Sequence, residues 1–256
     1  MSHPLFLVDA FADGPFTGNP AGVVPLESPL EEALMQKIAL EMNQAETAFV
    51  VSQEDGYALR WFTPTVEVDL CGHATLATAH VLFSQGATGT LRFSTRSGIL
   101  TAEQTRDGIA LNFPSEAPSA ADLPHALPFL GKPLWTGRNR MDWFVQIPDE
   151  DLVRSLVPDY SLIEALGMRG LIVTAAGRDV DFVSRFFAPQ SGVYEDPVTG
   201  SAHCALAPFW TDRLAKGELT GYQASPRGGT VRTTVLGNRV RLEGKAVTTV
   251  RGELLV

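Results

Sequence analysis

Cysteine is scarce in this chain, with Cys71 and Cys204 the only two in 256 residues. Two thiols cannot staple a disulfide framework. No CxxC or HxxxH spacing occurs either, so the sequence carries no metal-site signal and none is expected. Long apolar runs are missing too. Nothing approaches the roughly 18 consecutive apolar residues of a membrane helix. The N-terminal run Leu5-Phe6-Leu7-Val8 is too short for a signal-peptide core and has no basic segment before it. Basic clusters are the third absence. The formal net charge is -9 and the pI about 5.0, so a phosphate backbone or an anionic membrane would repel the chain. These absences lead to an expectation of a cytoplasmic protein with a small-molecule partner, and with neither nucleic acid nor membrane as partner.

What is present is an internal repeat. Arg60-Trp61-Phe62-Thr63-Pro64 matches Arg185-Phe186-Phe187-Ala188-Pro189, 125 positions on. Gly72-His73-Ala74 matches Gly200-Ser201-Ala202 at an offset of 128, and Arg96-Ser97-Gly98 matches Arg227-Gly228-Gly229 at 131. Three blocks in one order with a slowly drifting offset imply two copies of one architecture. The expected halves are 1–115 and 117–256, joined in the Pro/Ala/Ser-rich stretch 115–128, with the last strand free to cross back to the first half.

Each half reads as mixed α and β. Ser28-Pro29-Leu30-Glu31 has the pattern of a helix start, and Leu30, Leu34, Ile38 and Met42 then share one face. Segments 48–52 and 57–62 read as strands. The runs after Gly72 and Gly200 are apolar nearly all round, which predicts helices buried on every side, starting near His73 and Ser201. The expected fold class is therefore α+β, with two pseudo-symmetric domains, each a curved sheet wrapped around a central helix.

The two helix starts are the first candidates for chemistry. A helix N-terminus presents unpaired N–H groups and partial positive charge, so it binds anions, and glycine lets a ligand approach. Gly72, Gly200 and Ser201 are candidate substrate-binding positions on that ground. A two-fold scaffold also separates packing from catalysis. Arg60 and Arg185 recur and read as structural, whereas Glu46 falls opposite about Gly170 and has no acidic counterpart. The stretch from Pro189 to Gly200 is three residues longer than that from Pro64 to Gly72, and it contains Glu195-Asp196-Pro197.

Six segments together carry a resemblance. Asp9-Ala10-Phe11, Gly18-Asn19-Pro20-Ala21, Glu46-Thr47, Arg60-Trp61-Phe62-Thr63-Pro64, Cys71-Gly72-His73-Ala74-Thr75 and Glu195-Asp196-Pro197-Val198-Thr199-Gly200-Ser201-Ala202 resemble the phenazine-biosynthesis (PhzF-like) isomerase family. The likeness spans essentially the whole chain. It implies the diaminopimelate epimerase-like fold, with two barrel-like domains and the active site in the cleft between them. It implies Glu46 as acid/base, His73 and Asp196 as polar catalytic partners, Gly72, Gly200 and Ser201 as substrate-holding helix starts, and no cofactor. Asn19 is a further substrate-binding candidate, and a homodimer follows from the family alone. The namesake enzyme moves a proton along a conjugated carboxylate.

Two other readings stand beside this one. Racemases and epimerases of the same fold oppose two cysteines, one at each helix start. Here Cys71 fills the first position and Thr199 the second, and a hydroxyl is too weak an acid to mirror a thiol. The other reading is a small-anion binding protein without turnover.

Overall fold

Alternation of short β runs with two strongly apolar helices produces the same element pattern twice. The computed structural model describes residues 2–256, and they divide into two compact units, 2–112 with 243–256, and 113–242. Unit 1 runs β1 (Ser2–Ala10), β2 (Asn19–Leu26), α1 (Glu32–Met42), β3 (Glu46–Gln53), β4 (Gly56–Phe62), β5 (Glu67–Val68) and α2 (Gly72–Ser84). It continues with β6 (Leu91–Thr95), β7 (Gly98–Gln104) and β8 (Ile109–Pro114). Unit 2 runs β9 (Ser119–Ala120), β10 (Trp135–Arg138), β11 (Asp142–Gln146), α3 (Glu150–Ser155), α4 (Tyr160–Glu164), β12 (Gly170–Ala176) and β13 (Phe182–Phe187). Then come α5 (Gly200–Leu214), β14 (Glu218–Gln223), β15 (Gly229–Leu236) and β16 (Arg239–Gly244). The last strand, β17 (Ala246–Leu255), belongs to unit 1, where it pairs with β1 from Ser2↔Leu255 to Ala10↔Ala246. The expected boundary at 115–117 lies a few residues beyond this division.

The ladders follow one plan in each unit. In unit 1, β1–β2 is antiparallel, β2–β3 parallel, β3–β4 antiparallel, β4–β6 parallel and β6–β7 antiparallel. In unit 2 the same sequence of senses runs through β10–β11, β11–β12, β12–β13, β13–β14 and β14–β15. A parallel pair needs a long crossover. Helices supply each one: α1 or the pair α3 and α4 for the first, α2 or α5 for the second.

The second crossover helix is the core of each unit. In α2, nine residues from His73 to Leu82 are buried, and strands β1, β2, β3, β7 and β17 all touch the helix. Each fully buried Leu or Val contributes about 1.5–3 kcal/mol of transfer free energy, so Leu76, Val81 and Leu82 hold the helix in place. Polar groups on such a helix must bond back to it. Thr75 and Thr78 donate to the carbonyls of Cys71 and Ala74, at 2.5 and 2.7 Å. In unit 2, Ala202, Ala205, Leu206, Phe209 and Trp210 of α5 pack on Phe144, Ile172, Phe182, Phe186 and Leu219. Pro208 inside α5 has no N–H, which frees the carbonyl of Cys204. Glu116 N–H takes that carbonyl at 3.0 Å.

The first crossover of unit 1 departs from its sequence pattern. The helix starts at Glu32, not in the Ser28–Glu31 segment, and no side chain caps it. Leu30 packs against the cluster of Met35, Ile38, Ala39, Phe49 and Phe62 from an irregular segment. Its burial there overrides the local capping pattern. Among the described residues no helix is long and apolar enough to cross a membrane.

Candidate active site

Glu46 is the first residue of β3, paired in parallel with Ala21 of β2. Its neighbour Thr47 faces Gly22 so closely that a Cβ there would stand 2.9 Å from the Thr47 hydroxyl. Asn19 begins β2 and is fully buried. Just before it Gly18 has φ +66, and a Cβ would collide with the Ala10 carbonyl oxygen, so only glycine turns the chain there. His73 is the second residue of α2 and 5% exposed.

These elements bring four side chains together within unit 1. Asn19 Nδ2 stands 3.3 Å from His73 Nδ1, and Cys71 Sγ stands 3.6 Å from the same nitrogen. On the other edge of the ring, His73 Nε2 lies 3.2 Å from Glu46 Oε2. That contact has the length of a hydrogen bond but not its alignment. Burial pushes the His73 imidazole down to about 3, so it is neutral at physiological pH. Nδ1 is within hydrogen-bond reach of both the Asn19 amide and the Cys71 thiol, and the tautomer of the neutral ring sets which nitrogen carries the proton. Glu46 itself is half-buried. Asn19, a substrate-binding candidate from its motif, touches the histidine and orients it.

In unit 2 the counterpart helix start carries other chemistry. Asp196 and Ser201 are half-buried, and Gly200 is buried. Thr199 Oγ1 donates to Asp196 Oδ2 at 2.5 Å. Gln223 is fully buried and ties the segment down. Its Oε1 accepts from the Thr199 N–H at 2.9 Å, while its Nε2 donates to the Asp196 carbonyl at 2.7 Å. Sequence reasoning missed Gln223, because it lies 24 residues downstream in a strand and belongs to no motif. His203 takes the place of Thr75 and repeats its back-bond, with Nδ1 2.9 Å from the Thr199 carbonyl.

Strand pairing sharpens the contrast. Thr47 pairs with Phe62 in unit 1 and Leu171 with Phe187 in unit 2, so Gly170 occupies the position of Glu46. Glu195, in contrast, does have a counterpart. Arg60 grips Glu67 with Nε and Nη2 at 2.7 and 2.5 Å, and Arg185 grips Glu195 likewise at 2.7 and 2.8 Å. Glu195 is thus a structural partner of Arg185, and its neighbour Asp196 remains the acid without a mirror image. At each helix start the N-cap side chain, Cys71 or Thr199, makes no capping bond. The first-turn N–H groups are therefore left uncapped by the N-cap side chain at both helices.

With this geometry in hand, comparison with known proteins decides the family. The family described as phenazine biosynthesis-like protein matches residues 8–252. The chain belongs to that family. A protein of Halalkalibacterium halodurans named an uncharacterized isomerase is 48% identical over all of both chains. The crystal structure of a PhzF family protein from Enterococcus faecalis has a TM-score of 0.95 at 45% identity, again over all of both chains. A hydroxyproline epimerase from Agrobacterium vitis shares the fold alone, with a TM-score of 0.63 at 10% identity, over 99% of this chain and 92% of that one. The diaminopimelate epimerase-like resemblance and the α+β class hold, and the family and fold are those of isomerase-type enzymes.

Proposed function

We propose that this protein is an isomerase that shifts a proton within a small conjugated carboxylate, with Glu46 as the single acid/base and no cofactor. The observation that carries the reading is the Glu46–His73 contact of 3.2 Å, with His73 held neutral by burial beside the carboxylate. A carboxylate beside a neutral donor can take a proton from carbon, hold it and return it elsewhere. The neutral imidazole also avoids locking Glu46 into a permanent ion pair, which would keep the carboxylate from accepting a proton. His73 steadies the charge that develops as the proton leaves. The first-turn N–H groups at Gly72 hold the substrate carboxylate, and Gly200, Ser201 and Asp196 are the corresponding polar positions of unit 2.

Glu46→Gln keeps the shape and the hydrogen-bonding capacity but cannot shuttle a proton. Turnover should fall by about 10²–10⁴-fold with ligand affinity largely kept. Rate and dissociation constants of the two proteins, measured on any turned-over carboxylate, test this. Near-normal turnover by the variant removes Glu46 from the mechanism. Absence of proton exchange into any bound carboxylate from a broad panel would favour the small-anion binder.

A further inference from the structure

Gln223 has no charge and no reactive atom, yet its whole side-chain amide is spent on one segment of unit 2. It is fully buried at the end of β14. Its Oε1 accepts the Thr199 N–H at 2.9 Å, and its Nε2 donates to the Asp196 carbonyl at 2.7 Å and to Thr199 Oγ1 at 3.2 Å. We propose that Gln223 is a positioning residue which, acting through the Thr199 hydroxyl, fixes the direction of the Asp196 carboxylate for the reaction proposed above.

Three features support this role. The first is the direction of the hydrogen bonds. A backbone N–H only donates and a backbone carbonyl only accepts, so these two partners settle which end of the Gln223 amide is oxygen. The second Nε2 hydrogen then goes to Thr199 Oγ1, and the hydroxyl spends its own proton on Asp196 Oδ2, 2.5 Å away. The second feature is a confined backbone. Asp196 N–H donates to the Phe186 carbonyl at 3.1 Å, and Ser225, two residues beyond Gln223, donates to the Pro197 carbonyl at 2.8 Å. The Thr199 hydroxyl therefore acts on a side chain whose main chain is already fixed. The third feature is the absence of a mirror image. The repeat that aligns Arg60 with Arg185 aligns Ala58 with Val183, and these pair with Ser94 and Tyr222. Thr95 thus stands where Gln223 does, but its hydroxyl bonds within its own turn, to Ser97 and the Gly98 carbonyl. By the criterion that separates Glu46 from the repeated Arg–Glu clamps, Gln223 goes with Asp196 and the chemistry.

The positioning half stands on geometry and is tested without substrate, whereas the effect on turnover rests on the function proposed above. Two NMR measurements on the full chain test the first half. In Gln223→Met the Thr199 amide should exchange with solvent at least about tenfold faster, with the interior amides of α5 unchanged. The Asp196 χ1 angle, read from three-bond couplings, should be one rotamer in the wild type and in Thr199→Ser, and an average of rotamers in Thr199→Val. The Thr199 variants keep the backbone bonds to Gln223, so they test the relay even if Gln223→Met does not fold. Unchanged Thr199 exchange in Gln223→Met, or a single Asp196 rotamer in Thr199→Val, would overturn the positioning. On the carboxylate used for the Glu46→Gln comparison, Gln223→Met and Thr199→Val should each lower kcat about 10–100-fold while KM moves less than about threefold. Thr199→Ser should keep wild-type kcat, and adding Gln223→Met to Asp196→Asn should cost no further turnover. Losses that add to Asp196→Asn, or that are equal in Thr199→Val and Thr199→Ser, would make Gln223 a structural residue only. Near-normal turnover by Glu46→Gln would instead remove the proposed reaction and leave the exchange and rotamer results intact.

Discussion

The helix starts of α2 and α5 are built on one plan and carry different chemistry. Each follows an Arg–Glu clamp, opens with glycine, leaves its N-cap side chain unused for capping, and back-bonds a buried side chain to the N-cap carbonyl. What differs is the reactive complement. Around α2 stand Glu46, Cys71 and His73; around α5 stand Asp196, Thr199 and Gln223, with Gly170 where Glu46 would be. Repeated features report what folding requires and unrepeated ones what chemistry requires. That rule explains why Glu195, which has a counterpart, is structural, and why Glu46, which has none, carries the reaction in the function we propose.

The sharpest way to break the comparison is through the clamps, which look alike but are buried differently. The Arg185 side chain is 9% exposed, and its Nη1 also donates to the Leu156 carbonyl at 2.6 Å. Arg60 is 33% exposed, and its partner Glu67 has a second cation in Arg96 at 2.6 Å. Arg185→Met strands a buried carboxylate and should cost about 3–5 kcal/mol of stability. Arg60→Met leaves Glu67 paired and should cost about 1 kcal/mol or less. Denaturant unfolding of both variants measures the gap. Equal losses would mean that the two clamps are energetically one device and that burial does not set their value.

Acid should expose a property that the two helices share. Burial holds His73 at about 3 and His203 at about 4, against an ordinary value of 6.5. Both folded-state values are depressed, so the neutral rings contribute stability above pH 6.5. As pH falls below that, the unfolded chain takes up protons that the folded one refuses. Each ring should therefore remove about 2 kcal/mol between pH 6.5 and 5. Urea unfolding at pH 7.5 and 5 checks the total, and His203→Gln should remove about half of it. A variant with an undiminished acid loss would show that the charge-sensitive groups lie elsewhere.

Much of this architecture was legible in the chain. The two apolar helices read correctly because residues buried on all sides need no amphipathic stripe. Gly170 could be set opposite Glu46 because the repeat offset drifts so little. Other features were hidden for physical reasons. The start of α1 moved because burial of Leu30 in the β3–β4 core outweighs a local capping pattern. Gln223, Asn19 and the Glu46–Cys71–His73 cluster depend on contacts between distant segments, and no local pattern encodes those. Likewise, the acceptor freed by Pro208 is claimed by Glu116, 92 positions earlier in the chain.

The smallest expected effect on turnover is also the one that separates the proton shift from two-thiol epimerisation. A two-thiol mechanism needs a second thiol that can ionise at the other helix start. Thr199 stands there, and its hydroxyl is engaged by Asp196 at 2.5 Å and by Gln223 at 3.2 Å. Cys204 cannot substitute for it. That thiol lies within α5, buried, and burial pushes it up to about 12. Cys71 meets His73 on the Nδ1 edge, while Glu46 meets it on the Nε2 edge. Cys71→Ser keeps a donor toward Nδ1 and removes only the thiol, so turnover should drop by less than about tenfold, or about 1.4 kcal/mol. Thr199→Cys should add no epimerase activity, since Gln223 and Asp196 would still hold that segment. Both are read by steady-state rates together with deuterium exchange at the substrate α-carbon. A loss of 10³-fold or more in Cys71→Ser would place the thiol in the chemistry and return the two-base reading to first place.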